Sequence, residues 1–164
     1  MKKHVMALMA ALAMCAPIAK MTPAFAADDA CASVKAMANK FNATPRIRLD
    51  GTSYLEATHF TTLYVDTKEW WHAGSKPWHI EPRQYSKTND IENCEHLGSE
   101  TIDGVQTEIW SYDHLSYQEV DNFKLWISVD TGLPLKSHFK RVRPKDVIEW
   151  DGIYTYRPDI KDPV

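Results

Sequence analysis

The stretch LWISVDTGLPLKSHF, residues 125–139, reads as two strands around a turn. In its first arm Leu125, Ile127 and Val129 alternate with Trp126 and Ser128, the period of two that gives a strand two distinct faces. Asp130-Thr131-Gly132 then reverses the chain, and a second extended arm follows Pro134. A large aromatic opposite an aliphatic row means that the second face is covered too, or that it binds something. Trp126 is therefore expected on the concave side of a curved sheet, where it lines a hollow or plugs it.

Upstream, HLGSETI and VQTEIWSYD flank Asp103-Gly104, one of the stronger short-range hairpin signals. Downstream, Val147 to Tyr156 supplies a last strand before a tail with prolines at 158 and 163. On the N-terminal side, Arg46–Leu49 is extended and Asp50-Gly51 signals a turn. Tyr54–Val65, KEWWHAG and SKPWHIEP follow as strands. Residues 83–93 form a polar stretch, loop or short helix, and His114–Asp121 reads as a polar connection.

One helix precedes these strands, from Asp28 to about Asn42. Asp28 and Asp29 can cap its start, and Val34, Met37, Ala38 and Phe41 make a buried stripe. Asn42 and Pro45 stop it. One helix and about seven sequential strands imply an α+β fold. The expected architecture is an N-terminal helix packed on a strongly curved antiparallel sheet, an unclosed half-barrel, with a cystatin-like helix plus meander as the alternative.

The first residues carry an export signal. Lys2 and Lys3 precede an apolar run from about Val5 to Ala19, and Ala24-Phe25-Ala26 offers a small-x-small cleavage site. Residues 1–26 are read as a cleaved signal peptide, with a cut after Ala27 as the neighbouring option, and 27–164 as a single domain. A lipobox reading of Leu12-Ala13-Met14-Cys15 is spoiled by Met14, where a small residue belongs. The expected location is periplasmic or secreted. No further apolar run is long enough for an integral membrane span.

Cleavage leaves Cys31 and Cys94, an even count that implies one disulfide in an oxidising compartment. It also removes three of the 19 basic groups and none of the 22 acidic ones, taking the formal charge from −3 to about −6. That balance argues against nucleic acid as a partner.

Three stretches, HLGSETIDGVQTEIW at 96–110, FKLWISVDTGLPLKSHF at 123–139 and IYTYRPDIKDP at 153–163, resemble the periplasmic lipoprotein-carrier superfamily of LolA/LolB-like and LppX-like proteins. The match covers roughly the last 70 residues. The resemblance implies an unclosed barrel with helices as a lid and a hollow that accepts acyl chains. This chain is shorter and offers one helix where the carriers have additional lid helices, so a smaller ligand, or none, stays open.

The aromatic residues give the candidate groove: Trp110 and Trp126 first, then Trp71, Phe60, Tyr64 and Tyr112. Ordinary strand packing is the competing reading of each. In the basic run KSHFKRVRPK, Lys136, Lys140, Arg141 and Arg143 are rim candidates for a lipid headgroup or an acidic partner, against the plainer reading of a solvated face. His72, His79 and His96 lack metal-ligand spacing, so no metal or other cofactor is expected. No Gly-x-Ser-x-Gly, Cys-x-x-Cys or phosphate-cradling loop occurs, and no catalytic residue is assigned. The expected function is non-enzymatic binding of an acyl chain or other apolar small molecule. The alternative is a protein-interaction module, an inhibitor or accessory subunit, with a protein partner.

Overall fold

The structure, a computed structural model, describes residues 27–116 and 119–163. Residues 1–26, where a signal peptide is expected, and the side chains of Asp28 and Asp29 lie outside the described residues. Helix α1, Ala27–Ala43, buries Val34, Met37 and Ala38 of the expected stripe together with Cys31, while Phe41 is partly buried. It ends where the Thr44 hydroxyl donates to the Lys40 carbonyl at 2.8 Å, and Pro45 has no N–H with which to continue.

Among the described residues nine strands follow: β1 Arg46–Ser53, β2 Thr58–Val65, β3 Lys68–Ala73, β4 His79–Pro82, β5 Ile91–Ile102, β6 Val105–Ser116, β7 Glu119–Ser128, β8 Pro134–Val142 and β9 Val147–Thr155. They form one antiparallel sheet in the order β4-β3-β2-β1-β9-β8-β7-β6-β5. The edge strands β4 and β5 do not meet, so the barrel stays open. The last strand returns beside the first and joins two meanders in the middle of the sheet. A plain cystatin-like meander on one helix is therefore not what forms.

Three local readings are corrected. Asp50-Gly51 is not a turn: β1 runs straight through it, and the reversal falls at 54–57, where Ala57 takes a φ of 48°. The polar stretch at 83–93 is a loop and a 3-10 turn, Thr88–Asp90, after which β5 already begins at Ile91. The connection at 114–121 is strand on both sides of residues 117–118, which lie outside the described residues. The Asp103-Gly104 hairpin forms as expected, with both residues in the left-handed region at φ 49° and 82°.

Register assigns the faces. Trp110, Leu125, Ser137, Gly152, Gly51 and Phe60 are successive cross-strand partners and share the face toward α1. Ile109, Trp126, Lys136, Ile153 and Asp50 make the parallel row on the outer face. The main core lies between α1 and the inner face of β5, β6 and β7, through Val34, Met37, Ile91, Tyr112, Leu125 and Ile127. A smaller core sits outside, where the C-terminal tail lays Ile160 against Leu63, Val65 and Trp70. The Arg46 guanidinium donates to the Ile160 carbonyl and holds the tail there.

Both ends of α1 are tied down. The Cys31–Cys94 disulfide fastens its first turns to β5. At the other end the buried guanidinium of Arg83 donates to the carbonyls of Thr44 and Phe41 at 2.8 and 2.9 Å, and stacks among Phe41, Tyr64 and Tyr85. A cation at the C-terminal end complements the helix dipole and satisfies carbonyls that lack partners within the helix. Arg83→Met keeps the apolar stem and removes the donors. It is expected to lower stability by about 2 kcal/mol, the scale of hydrogen bonds from a charged group, as read by urea denaturation.

Candidate functional site

Because α1 rests mainly on β5, the inner face of the other strands is left partly uncovered. Between them lies a hollow of about 250 Å³. Its walls come from α1 (Met37, Ala38, Phe41) and from six strands, including Leu49 of β1, Tyr64 of β2, Phe123 of β7 and Tyr154 of β9. Residues so far apart along the sheet meet around one space only if the sheet curls over it.

Aromatic edges close the walls. Phe41 meets Tyr64 and Tyr154 edge-on at 5.7 and 5.6 Å, and Tyr112 stacks on Phe123 at 5.1 Å. Burial drives the phenol of Tyr154 up to about 12 and pushes those of Tyr64 and Tyr112 upward as well, so all three are neutral hydrogen-bonding groups at physiological pH.

The polar residues gather toward one side: Asp121, His114 and Ser86. Asp121 is buried and accepts two hydrogen bonds from Arg141, one of them at 2.6 Å. Arg141 also reaches Glu119 at 3.1 Å, and Glu119 pairs with Arg143 at 2.8 Å. Two guanidiniums thus face two carboxylates, and the cluster neutralises itself. His114 is the cross-strand partner of Asp121, and its Nε2 is buried without a hydrogen-bond partner.

Tyr64 and Tyr112, of the six groove candidates, line the hollow. Trp110 shares the inner face but packs on the α1 core beside His96, ring centroids 4.9 Å apart. Phe60 covers Gly51 and meets Trp150 at 5.5 Å, and Trp71 is exposed near the far end of the sheet beside His79. The expectation for Trp126 is corrected: it lies on the outer face. There it is buried between Lys124 and Lys136, 4.9 and 4.5 Å from its ring, and its indole N–H donates to Glu100 at 2.8 Å. The aliphatic row at 125 and 127 takes the inner face instead.

The basic run divides in the same way. Lys136 and Lys140 point outward, the latter pairing with Glu149 at 3.3 Å, while Arg141 and Arg143 serve the inner carboxylates. They do not form one positive patch. What sequence reasoning missed is Phe41, Leu49, Phe123 and Leu125 as wall residues. Only the strand register, set by long-range pairing, reveals that they share one face.

Glu69 on the inner face of β3 is half-buried, and burial raises its carboxyl above the usual range, with Glu81 adding like-charge repulsion. In the unfolded chain it titrates near ~4.3. The folded state therefore binds this proton more tightly. The cost to folding is absent below the unfolded pKa and complete above the raised folded one. Glu69→Gln is expected to melt above the parent at pH 7, the difference vanishing as pH falls to about 4, as checked by thermal melts across pH.

No family model matches the chain, and no curated protein matches it in sequence. Among solved structures it is similar to the Mycobacterium tuberculosis lipoprotein LppX, with a TM-score of 0.52 at 7% identity over 84% of this chain and 99% of that one. The fold is LppX-like. Weaker likenesses are to the Pseudomonas aeruginosa MucA/MucB complex (TM-score 0.47, 11% identity, 77% of this chain and 56% of that one) and to a DUF1329 family protein from Desulfovibrio piger (TM-score 0.34, 8% identity, 83% and 95%). Identities this low speak to fold alone, and the second and third carry no argument. Among the described residues no helix is long and apolar enough to cross a membrane, and no group of three or more His, Cys, Asp or Glu is placed to hold a metal ion.

Proposed function

We propose that this is an exported, non-catalytic binding protein that holds an apolar ligand, an acyl chain, between α1 and the inner face of its curved sheet. The observation that carries the reading is the hollow itself, walled by aliphatic and aromatic side chains from one helix and six strands. Ligand sites are mostly apolar clefts of about 300–1,000 Å³. At about 250 Å³ the hollow falls just below that range, which suits a short chain or the end of a longer one. Capture is by burial: each methylene removed from water contributes about 0.8 kcal/mol, and no specific polar contact along the chain is needed.

The test is native mass spectrometry of the mature protein taken from its own compartment without detergent, followed by organic extraction. A co-purifying acyl species, absent from Ala38→Leu protein in which the hollow is filled, supports the reading. A bare disulfide-bonded chain that also fails to take up added fatty acids overturns it.

A second reading, a protein-interaction module on the same scaffold, has one observation in its favour. On the outer face of two neighbouring hairpins Leu115 pairs with Val120 and Val142 with Val147, and all four are exposed. A continuous apolar strip of this kind is a feature of contact surfaces. Val142→Asp would abolish such a contact and leave acyl binding intact.

A further inference from the structure

The hollow adjoins a more polar surface cleft. A surface cleft of about 360 Å³ is lined by Gln84, Tyr85, Lys87, Asp90, His114 and neighbouring residues of β6, and His114 belongs to both this cleft and the hollow. Ser86 lines the hollow while its neighbours Tyr85 and Lys87 line the cleft. The His114 imidazole therefore stands where the hollow and the cleft adjoin.

The groups at this passage differ in what they have left to offer. Asp121 already accepts two hydrogen bonds from Arg141, and this ion pair neutralises the charge that would attract a cationic head. The Gln84 amide donates to the Pro82 carbonyl at 3.3 Å. His114 Nε2 is buried and unpartnered, and a buried polar atom without a partner is a group that a ligand can satisfy. At the lip Lys87 is exposed and supplies one positive charge. Asp90, facing the same cleft, keeps the mouth from carrying a strong positive field. A single negative charge suits that balance better than a doubly charged phosphate.

We propose that His114 and Lys87 form a head-group site for a carboxylate, which makes the ligand a single-chain carboxylic acid with its tail in the hollow. This rests on the acyl-binding reading above and adds the head to it. His114 donates from Nε2 to one carboxylate oxygen, a charge-assisted hydrogen bond in a site sheltered from water. Lys87 attracts the same group from the exposed side.

The test compares dodecanoic acid, methyl dodecanoate and dodecylamine by calorimetric titration into delipidated, disulfide-intact mature protein. Wild-type protein is expected to bind the acid about tenfold more tightly than the ester, one charge-assisted hydrogen bond's worth, and the amine no better than the ester. His114→Phe, which keeps a ring of similar shape, should bring the acid down to the ester's affinity and leave the ester unchanged. His114→Gln, which keeps a donor at nearly the same reach, should restore part of the preference and serves if the Phe variant folds poorly. Equal binding of acid and ester by wild-type protein overturns the carboxylate site while leaving the hollow's role intact, as does a preference that survives in His114→Phe. If none of the three probes binds, the acyl-binding reading falls and the head-group site with it.

Discussion

Removing the disulfide with Cys31→Ala and Cys94→Ala should lower stability by about 4 kcal/mol, the chain-entropy cost of releasing a loop of this size. The bridge closes a sequence separation of 63 residues, with the two Cα atoms 5.1 Å apart. For a domain of this length the loss corresponds to a fall of about 10 °C in Tm. Its effect is concentrated on α1. That helix packs mainly against β5, the strand to which it is bridged, while Met37, Ala38 and Phe41 on its other flank wall the hollow. Releasing the bridge leaves α1 held by its own apolar stripe and by the Arg83 clamp. Urea denaturation with and without reductant checks this. A loss below 1 kcal/mol, on the scale of a single ordinary contact, would mean that packing alone seats the helix. On the proposed reading, acyl binding should weaken together with stability, since the helix supplies Met37, Ala38 and Phe41 to the hollow.

How much of this was legible depends on whether a residue's reason for being there is local. The hairpin at 125–139 and the one at Asp103-Gly104 follow from turn chemistry: Gly132 and Gly104 take φ of 65° and 82°, and the flanking alternation does the rest. The bridge between Cys31 and Cys94 is likewise read from the sequence, by counting cysteines. The segment 114–121 is different. Its His114, Asp121 and Glu119 look like loop residues, yet they lie on strands because Arg141 and Arg143, on another hairpin, neutralise the carboxylates. No spacing rule announces that pairing. Trp126 shows the same limit. Alternation correctly set it opposite Leu125 and Ile127, but which face α1 covers is decided by the long-range contacts of the helix, and Lys124, Lys136 and Glu100 cover the other.

Gly51 carries the sharpest form of the distinction, and replacing it should cost about 3 kcal/mol, the upper range for overpacking a core. Asp50-Gly51 is the same kind of dipeptide as Asp103-Gly104, but here the backbone does not need glycine's conformational freedom: Gly51 is absent from the left-handed region and sits mid-strand. It needs glycine's lack of a side chain. A Cβ at this position would lie 2.2 Å from Cζ of Phe60 and 2.8 Å from the carbonyl oxygen of Asp151. Its partner Gly152 is equally crowded, with Leu49 Cδ1 2.4 Å from where its Cβ would stand. The Phe60 ring can swing aside, whereas the Asp151 carbonyl belongs to the backbone of β9 where it pairs with β1. Gly51→Ala should therefore be strongly destabilising alone and only partly relieved in a Phe60→Ala background, with a coupling of about 1–2 kcal/mol between the two sites. Full relief would assign the crowding to the ring alone. No cost in either background would mean that a Cβ is accommodated at this position after all, and that the seam between the first and last strands is looser than its register implies.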